Sequence, residues 1–280
     1  MHPVYHEIKK MLAGYYPDAE ASALAKMLLV EVLHFSTLEL FGGKDKEVFK
    51  KDLDVLYEMS RRLQNQEPIQ YIIGKETFCG MPFVVNRHVL IPRPETQDLV
   101  GWIIEEVQQT NPCRLLDMGT GSGCIAISLA KKLPHVQVEA WDISGEALQV
   151  ARQNALNNQV KVDFHQQDIL SASPGMAEWN VIVSNPPYIT NKEKAEMEAN
   201  VLNWEPHTAL FVPDHDPLLF YRKIAQLGMS MLMKGGALYF EINRAYGTET
   251  IAMLQALGYE NIIIRKDRFN NERMIKATRP

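Results

Sequence analysis

The spacing of hydrophobic positions changes character near residue 70. From Ala21 to Leu40 the apolar residues Leu24, Met27, Leu28, Val32 and Phe35 recur at the spacing of one helix face. Phe41-Gly42-Gly43 is expected to end that helix. A second helical pattern runs from about Lys46 through Arg61 and Arg62 to Gln66, and Pro68 stops it, because proline removes a backbone donor and clashes with the preceding turn. The stretch QYIIGKETFCGMPFVVN then carries β-rich runs around Gly74-Lys75 and Gly80, which predicts one or two hairpins. In HVLIPRPETQDLV, Pro92 and Pro94 fix an extended approach, and Glu95 or Thr96 can begin the next helix.

From Arg114 onward, short apolar runs alternate with helical patterns. The strand candidates are RLLDM, VQVEAWD, VKVDFH, WNVIVSN, GALYFEI, ENIIIR and RMIKA. This alternation predicts an α/β domain, with a mostly parallel sheet covered by helices on both faces. The expected organisation is a helical unit over residues 1–70, a hairpin linker over 71–92 and the α/β domain over 93–280. In such sheets ligands bind beyond the carboxyl ends of the strands, so the residues just after each strand carry the candidate chemistry.

The chain has 280 residues, 46% of them hydrophobic, enough for a sizeable core. Its net charge of -5 argues against a main partner gripped through a long phosphate backbone. Cys79, Cys113 and Cys124 fit neither a disulfide framework nor a zinc pattern, so buried free thiols are expected. Glu31 interrupts the longest apolar run, MLLVEVLHF, and MHPVYHEIKK has no apolar signal core. A soluble cytoplasmic protein without a membrane partner is expected. His135, His165, His207 and His215 show no metal-ligand spacing, and neither a P-loop nor a nucleophile elbow occurs.

The first strand runs into DMGTGSG. Gly119, Thr120, Gly121, Ser122 and Gly123 form an alternating glycine loop that allows a tight turn and close approach of backbone to a ligand. The following helix would aim free N–H groups and its positive end at that ligand. The second strand ends in Asp142, whose carboxylate can accept both ribose hydroxyls, or can cap the helix that starts near Ser144. After the third strand, Asp168 can take an adenine amino group and Ile169 can cover the ring. The spacing is not the dinucleotide pattern, and S-adenosylmethionine fits these strand ends better than NAD.

The fourth strand ends in Asn185-Pro186-Pro187-Tyr188. In a doubly wound sheet this strand adjoins the first, which brings the tetrapeptide beside the glycine loop. The Asn185 side-chain oxygen and the Pro186 carbonyl can accept from a substrate NH2 group, and Tyr188 offers a flat face against a planar amide or base. Two fixed acceptors suit methylation of a nitrogen whose lone pair is delocalised, with positioning and electrostatics as the main catalytic devices.

Over nearly its full length the sequence resembles the HemK/PrmC family of protein-(glutamine-N5) methyltransferases. The resemblance rests on QYIIGKETFCGMPFVVN, VLIPRPET, LLDMGTGSGCIAISLA, VSNPPYI and the Glu205-Pro206 to Ala209-Leu210 stretch. It implies a Rossmann-like S-adenosylmethionine-dependent domain with a small N-terminal helical domain and a β-hairpin linker. By resemblance, Gly119 to Gly123, Asp142 and Asn185 contact the cofactor. Residues Asn185 to Tyr188 would bind the glutamine of a Gly-Gly-Gln motif in peptide chain release factors, and the helical domain would help dock them. Gln97, Ile169 and Asp214 to Pro217 depart from the family pattern.

Overall fold

The computed structural model describes residues 1–42, 46–108 and 113–280. The chain divides into two units, one of residues 1–75 with 198–204, the other of residues 76–197 with 205–280.

The first unit opens with α1 (Pro3–Leu12), where Pro3 occupies the first turn and the His2 ring accepts from the Val4 N–H. Then come α2 (Asp18–Leu33), α3 (Thr37–Gly42), α4 (Lys50–Gln64) and α5 (Ile69–Ile73). The single helix expected from Ala21 to Leu40 is broken. His34 takes a left-handed φ of 52° and closes α2, while Ser36 and Glu39 form a reciprocal capping box that restarts the chain as α3. Gly43, expected to help end this helix, lies outside the described residues. The buried face of α2 is Ala21, Ala25, Leu28 and Leu29, and Met27 is exposed. Of the other residues of the expected face, Leu24 and Val32 pack against the core and Phe35, beyond α2, is buried in it, so periodicity found the inner side but missed the share of it carried by the alanines. These residues pack with Ile8, Leu12, Leu56 and Leu63 in one core.

One hairpin follows, β1 (Lys75–Phe78) and β2 (Met81–Val84), with positive φ at both Cys79 and Gly80, the geometry of a two-residue turn. The preceding QYII is helical (α5), starting after Pro68 and stopped by Gly74 at φ 81°. Within the second unit the buried Asn154 amide holds β2, accepting from Val84 N–H and donating to the Val84 and Ser122 carbonyls.

The second unit continues with α6 (Pro94–Val107), β3 (Cys113–Met118), α7 (Cys124–Lys132), β4 (Val136–Asp142), α8 (Gly145–Asn157), β5 (Asp163–Gln166), β6 (Trp179–Ser184) and β7 (Ile189–Thr190). Next come α9 (Ala199–Trp204), which belongs to the first unit, and β8 (Phe211–Val212). The chain ends with α10 (Leu219–Met231), β9 (Leu232–Glu241), α11 (Gly247–Ala256), β10 (Glu260–Lys266) and β11 (Glu272–Thr278). Among the described residues seven strands form the main sheet, in the order β10-β11-β9-β6-β3-β4-β5, and β11 runs antiparallel to both its neighbours. The mostly parallel α/β sheet expected from the alternating pattern is thus present.

Alternation along each strand divides the core in two. Leu115, Val181 and Val183 pack under α6 and α7, while Leu116, Ile182 and Leu238 pack under α10. Each such fully buried leucine contributes roughly 1.5–3 kcal/mol relative to exposure. Strand β3 is flanked by β4 and β6, both parallel, and Asp117 lies opposite Val183 of β6. The chain reverses its direction of winding there, so the ends of β3 and β6 face a common crevice. No helix among the described residues is long and apolar enough to cross a membrane.

Candidate active site

A cavity of about 450 Å³ lies beyond the carboxyl ends of β3, β4, β5 and β6. Its volume falls within the range of roughly 300–1,000 Å³ usual for small-molecule sites. Gly119, Thr120, Gly121 and Ser122 line it from β3, Asp142 from β4, Asp168 and Ile169 from beyond β5, and Asn185 and Pro187 from beyond β6. Gly123, Pro186 and Tyr188 do not line the cavity.

The glycine loop gets its shape from β4. The N–H groups of Gly119 and Thr120 both donate to the Trp141 carbonyl, at 2.9 Å each. Gly121 N–H donates to Asp142 Oδ2 at 2.8 Å, and Ser144 N–H donates to Asp142 Oδ1 at 2.9 Å. Asp142 does not cap α8, since Ser144 does so through its own hydroxyl. A carboxylate has about four lone-pair sites, so Asp142 keeps accepting capacity towards the cavity. Gly123 has another job: it is the N-cap of α7 at φ 81°, and a methyl group there would meet Ile127 Cδ1 at 2.7 Å. Ile169 is buried, with its Cδ1 close over Gly119.

Asp117 sits beneath the loop, fully buried, where its Oδ2 accepts from Thr120 Oγ1 at 2.6 Å and from Ala126 N–H at 3.3 Å. Burial raises its pKa to about 7, and burial raises that of Asp142 too. Asp117 Oδ1 and Ser122 Oγ are buried without a hydrogen-bond partner among the described residues. Of these groups Asp142 and Ser122 line the cavity, so the Asp142 carboxylate and the unpartnered Ser122 hydroxyl face a ligand there.

On the reactive side, Asn185 Nδ2 donates to Thr96 Oγ1 at 3.3 Å, which turns Oδ1 away from that contact. Thr96 Oγ1 donates in turn to Glu241 Oε2 at 2.6 Å. Tyr188 is half-buried against the core on the α10 side, and its hydroxyl donates to Glu241 Oε1 at 3.3 Å. Its backbone N–H donates to the Leu210 carbonyl and its carbonyl accepts from Asn243 Nδ2, so the loop is held from two sides. Glu241 is 1% exposed and burial lifts its pKa to about 7.

At another part of the cavity wall, Arg93 Nη2 donates to Glu205 Oε1 at 2.5 Å, and the Ile91 N–H reaches Glu205 Oε2 at 3.3 Å. Glu205 is itself buried, and that burial raises its pKa. Thr96, Glu205 and Glu241 were not singled out as site residues from the sequence. The signal available for Glu241 was its place at the end of GALYFEI, a charged residue closing an apolar strand at the ligand edge.

Residues 4–74 match the family model described as PrmC N-terminal domain, and residues 101–204 match the Methyltransferase small domain. The release factor glutamine methyltransferase of Bacteroides thetaiotaomicron is 49% identical over 273 residues, covering 97% of this chain and 98% of that protein. The protein of the same name in Flavobacterium psychrophilum is 44% identical over 269 residues, covering 95% and 94%. A methyltransferase from Pyrococcus furiosus shares the fold, with a TM-score of 0.53 at 16% identity over 79% of this chain and 98% of that one. With a methyltransferase-type sheet, a glycine loop and Asn-Pro-Pro-Tyr at one crevice, and near full-length identity of this order, the chain belongs to the release factor glutamine methyltransferase family.

Proposed function

We propose that this chain uses S-adenosylmethionine to methylate the side-chain amide nitrogen (N5) of the glutamine in the Gly-Gly-Gln motif of peptide chain release factors. The observation that carries the reading is Asn185 in the cavity wall across from the glycine loop, its amide nitrogen already engaged by Thr96. When bound, the cofactor supplies an electrophilic methyl group on a sulfonium centre. The residues fit such a cofactor: Asp142 would accept from the ribose, Asp168 from the adenine amino group, and Ile169 would cover the ring. The loop from Gly119 to Gly123 would approach the rest of the cofactor: Gly121 leaves open space at the cavity wall, and the unpartnered Ser122 hydroxyl there is free for a polar group of the ligand.

Asn185 Oδ1 and the Pro186 carbonyl would accept the two N–H bonds of the glutamine amide. That grip would aim the nitrogen at the methyl carbon and draw charge off the N–H groups as the nitrogen–carbon bond forms and the methyl–sulfur bond breaks, the sulfur leaving as a neutral thioether and one amide proton going to solvent. Pro187 stiffens the loop and Tyr188 anchors it to the sheet. Residues 1–70 would dock the release factor and 71–92 would connect them to the catalytic residues of 93–280. A translation substrate suits a cytoplasmic enzyme.

Labelled S-adenosylmethionine tests the reading directly. Purified chain should label a release factor, and should leave unlabelled both the same factor with Gln→Ala in its Gly-Gly-Gln motif and double-stranded DNA. Label on DNA alone would overturn the assignment in favour of an adenine methyltransferase.

A further inference from the structure

An asparagine can present either end of its amide to a substrate, and the two ends make opposite demands. An NH2 substrate needs Oδ1; the Nδ2 end would set donor against donor. Asn185 cannot choose by shape, because the two ends are nearly isosteric. Its partner Thr96 cannot choose either, since a hydroxyl both donates and accepts. The next group along does decide. In its ionised form Glu241 only accepts, and the single Thr96 hydroxyl proton then points at Oε2. That leaves only lone pairs on the side of Thr96 facing Asn185, and Nδ2 must supply the proton for the 3.3 Å contact. The other carboxylate oxygen accepts from the Tyr188 hydroxyl, so one buried carboxylate fixes both ends of the reactive tetrapeptide.

We propose that Glu241 is a positioning residue for methyl transfer, acting through the Thr96 hydroxyl to hold Asn185 with its oxygen towards the substrate amide. The proposal rests on the amide-methylating reading given above and adds residues that lie 145 positions apart in sequence. It also accounts for a carboxyl group kept nearly fully buried at the end of β9, which a structural role alone does not require. Other charged or titratable groups near Glu241 are Arg273 on β11, Glu95 on α6 and Tyr221 on α10.

The test compares Thr96→Val, Thr96→Ser, Glu241→Gln and the Thr96→Val/Glu241→Gln double variant. Thr96→Val keeps the side-chain shape and removes the hydroxyl; its kcat should fall roughly ten- to a hundredfold, the scale of a misplaced reacting group. KM for the release factor and the calorimetric Kd for S-adenosylmethionine should stay within a few-fold of wild type. Thr96→Ser should recover most of kcat. Glu241→Gln offers an amide donor to Thr96 and should also lower kcat. The double variant should lose no more than the worse single, because both act through one chain of hydrogen bonds. Wild-type kcat in Thr96→Val, no recovery in Thr96→Ser, additive losses, or a parallel loss of cofactor affinity would each overturn the proposal. A second readout needs no turnover: the Asn185 side-chain NH2 protons, followed by NMR, should exchange slowly in wild type and fast in Thr96→Val. Equal exchange would overturn the positioning role. Slow exchange in a protein that labels no release factor would sustain the positioning role while removing the substrate assignment.

Discussion

Gly121 and Gly123 are two residues apart in the same loop, both at positive φ, and they should fail in opposite ways when given a methyl group. At Gly121 (φ 54°) a Cβ meets nothing of the protein within 4 Å, but the residue lines the cavity. Alanine there costs about 1–2 kcal/mol of left-handed strain, offset by about 0.4–1 kcal/mol from a stiffer unfolded chain. The net loss of stability is about 0–1.6 kcal/mol. The new methyl group stands where a ligand must approach, so cofactor affinity should fall tenfold or more, about 1.4 kcal/mol. At Gly123 (φ 81°) the Cβ would lie 2.7 Å from Ile127 Cδ1 and 3.2 Å from Ala151 Cβ, in packed core. Overpacking adds about 1–3 kcal/mol to the same strain, giving roughly 2–5 kcal/mol before the same offset. Urea unfolding followed by tryptophan fluorescence reports this unit through the buried Trp102 and Trp179, and titration calorimetry reads the cofactor. Gly123→Ala should lose the stability and Gly121→Ala the affinity. Equal stability losses in the two variants would refute the reasoning, because then the clash at Ile127 would carry no energy.

Four further outcomes are expected. Asp117 has a folded pKa raised from 3.8 to about 7, so between those values the folded chain holds a proton that the unfolded chain has released. Its contribution to stability is complete below about pH 4 and is lost as pH rises through about 7, by up to ~4 kcal/mol. Asp117→Asn should flatten that slope in urea unfolding from acid to mildly basic pH, and an unchanged slope would remove the assignment. Arg93→Ala strands the buried Glu205 carboxylate and should cost about 3 kcal/mol, with part of the loss recovered in Arg93→Ala/Glu205→Gln; no recovery would mean that charge is not the cause. Asp142→Ala should weaken cofactor binding, and an unchanged calorimetric Kd would rule out the ribose contact. Asn185→Ala should abolish transfer with the circular dichroism spectrum intact, and near-normal turnover would dismiss it as an acceptor.

The sheet was legible because its strands are short apolar runs ended by glycine, asparagine or acid, and strand ends in this topology gather by rule rather than by contact. That is why Gly119 to Ser122, Asp142, Ile169 and Asn185 could be named before any geometry was known. Pairings across long separations were not legible. Thr96 reads as a helix start and Glu241 as the end of a strand, and nothing local says that their oxygens meet at 2.6 Å. Tyr188 looked like a wall for the substrate, yet its hydroxyl is directed to Glu241. In the N-terminal unit, two kinds of signal misled. The apolar content of α2 hid the part of its inner face built on Ala21 and Ala25. The Ser36…Glu39 capping box was present in the sequence but lay within a run that already read as helix.

The unit that holds α1 to α5 also includes residues 198–204, where the Trp204 indole N–H donates to the Asn65 carbonyl at 3.2 Å. The chain therefore passes between the two units three times, near residues 75, 197 and 204. A protease cut at residue 75 would not release a finished piece, because the liberated fragment would lack its own closing helix and the remainder would display an orphaned tryptophan. Limited proteolysis followed by gel filtration should accordingly find the two fragments travelling together until denaturant is added.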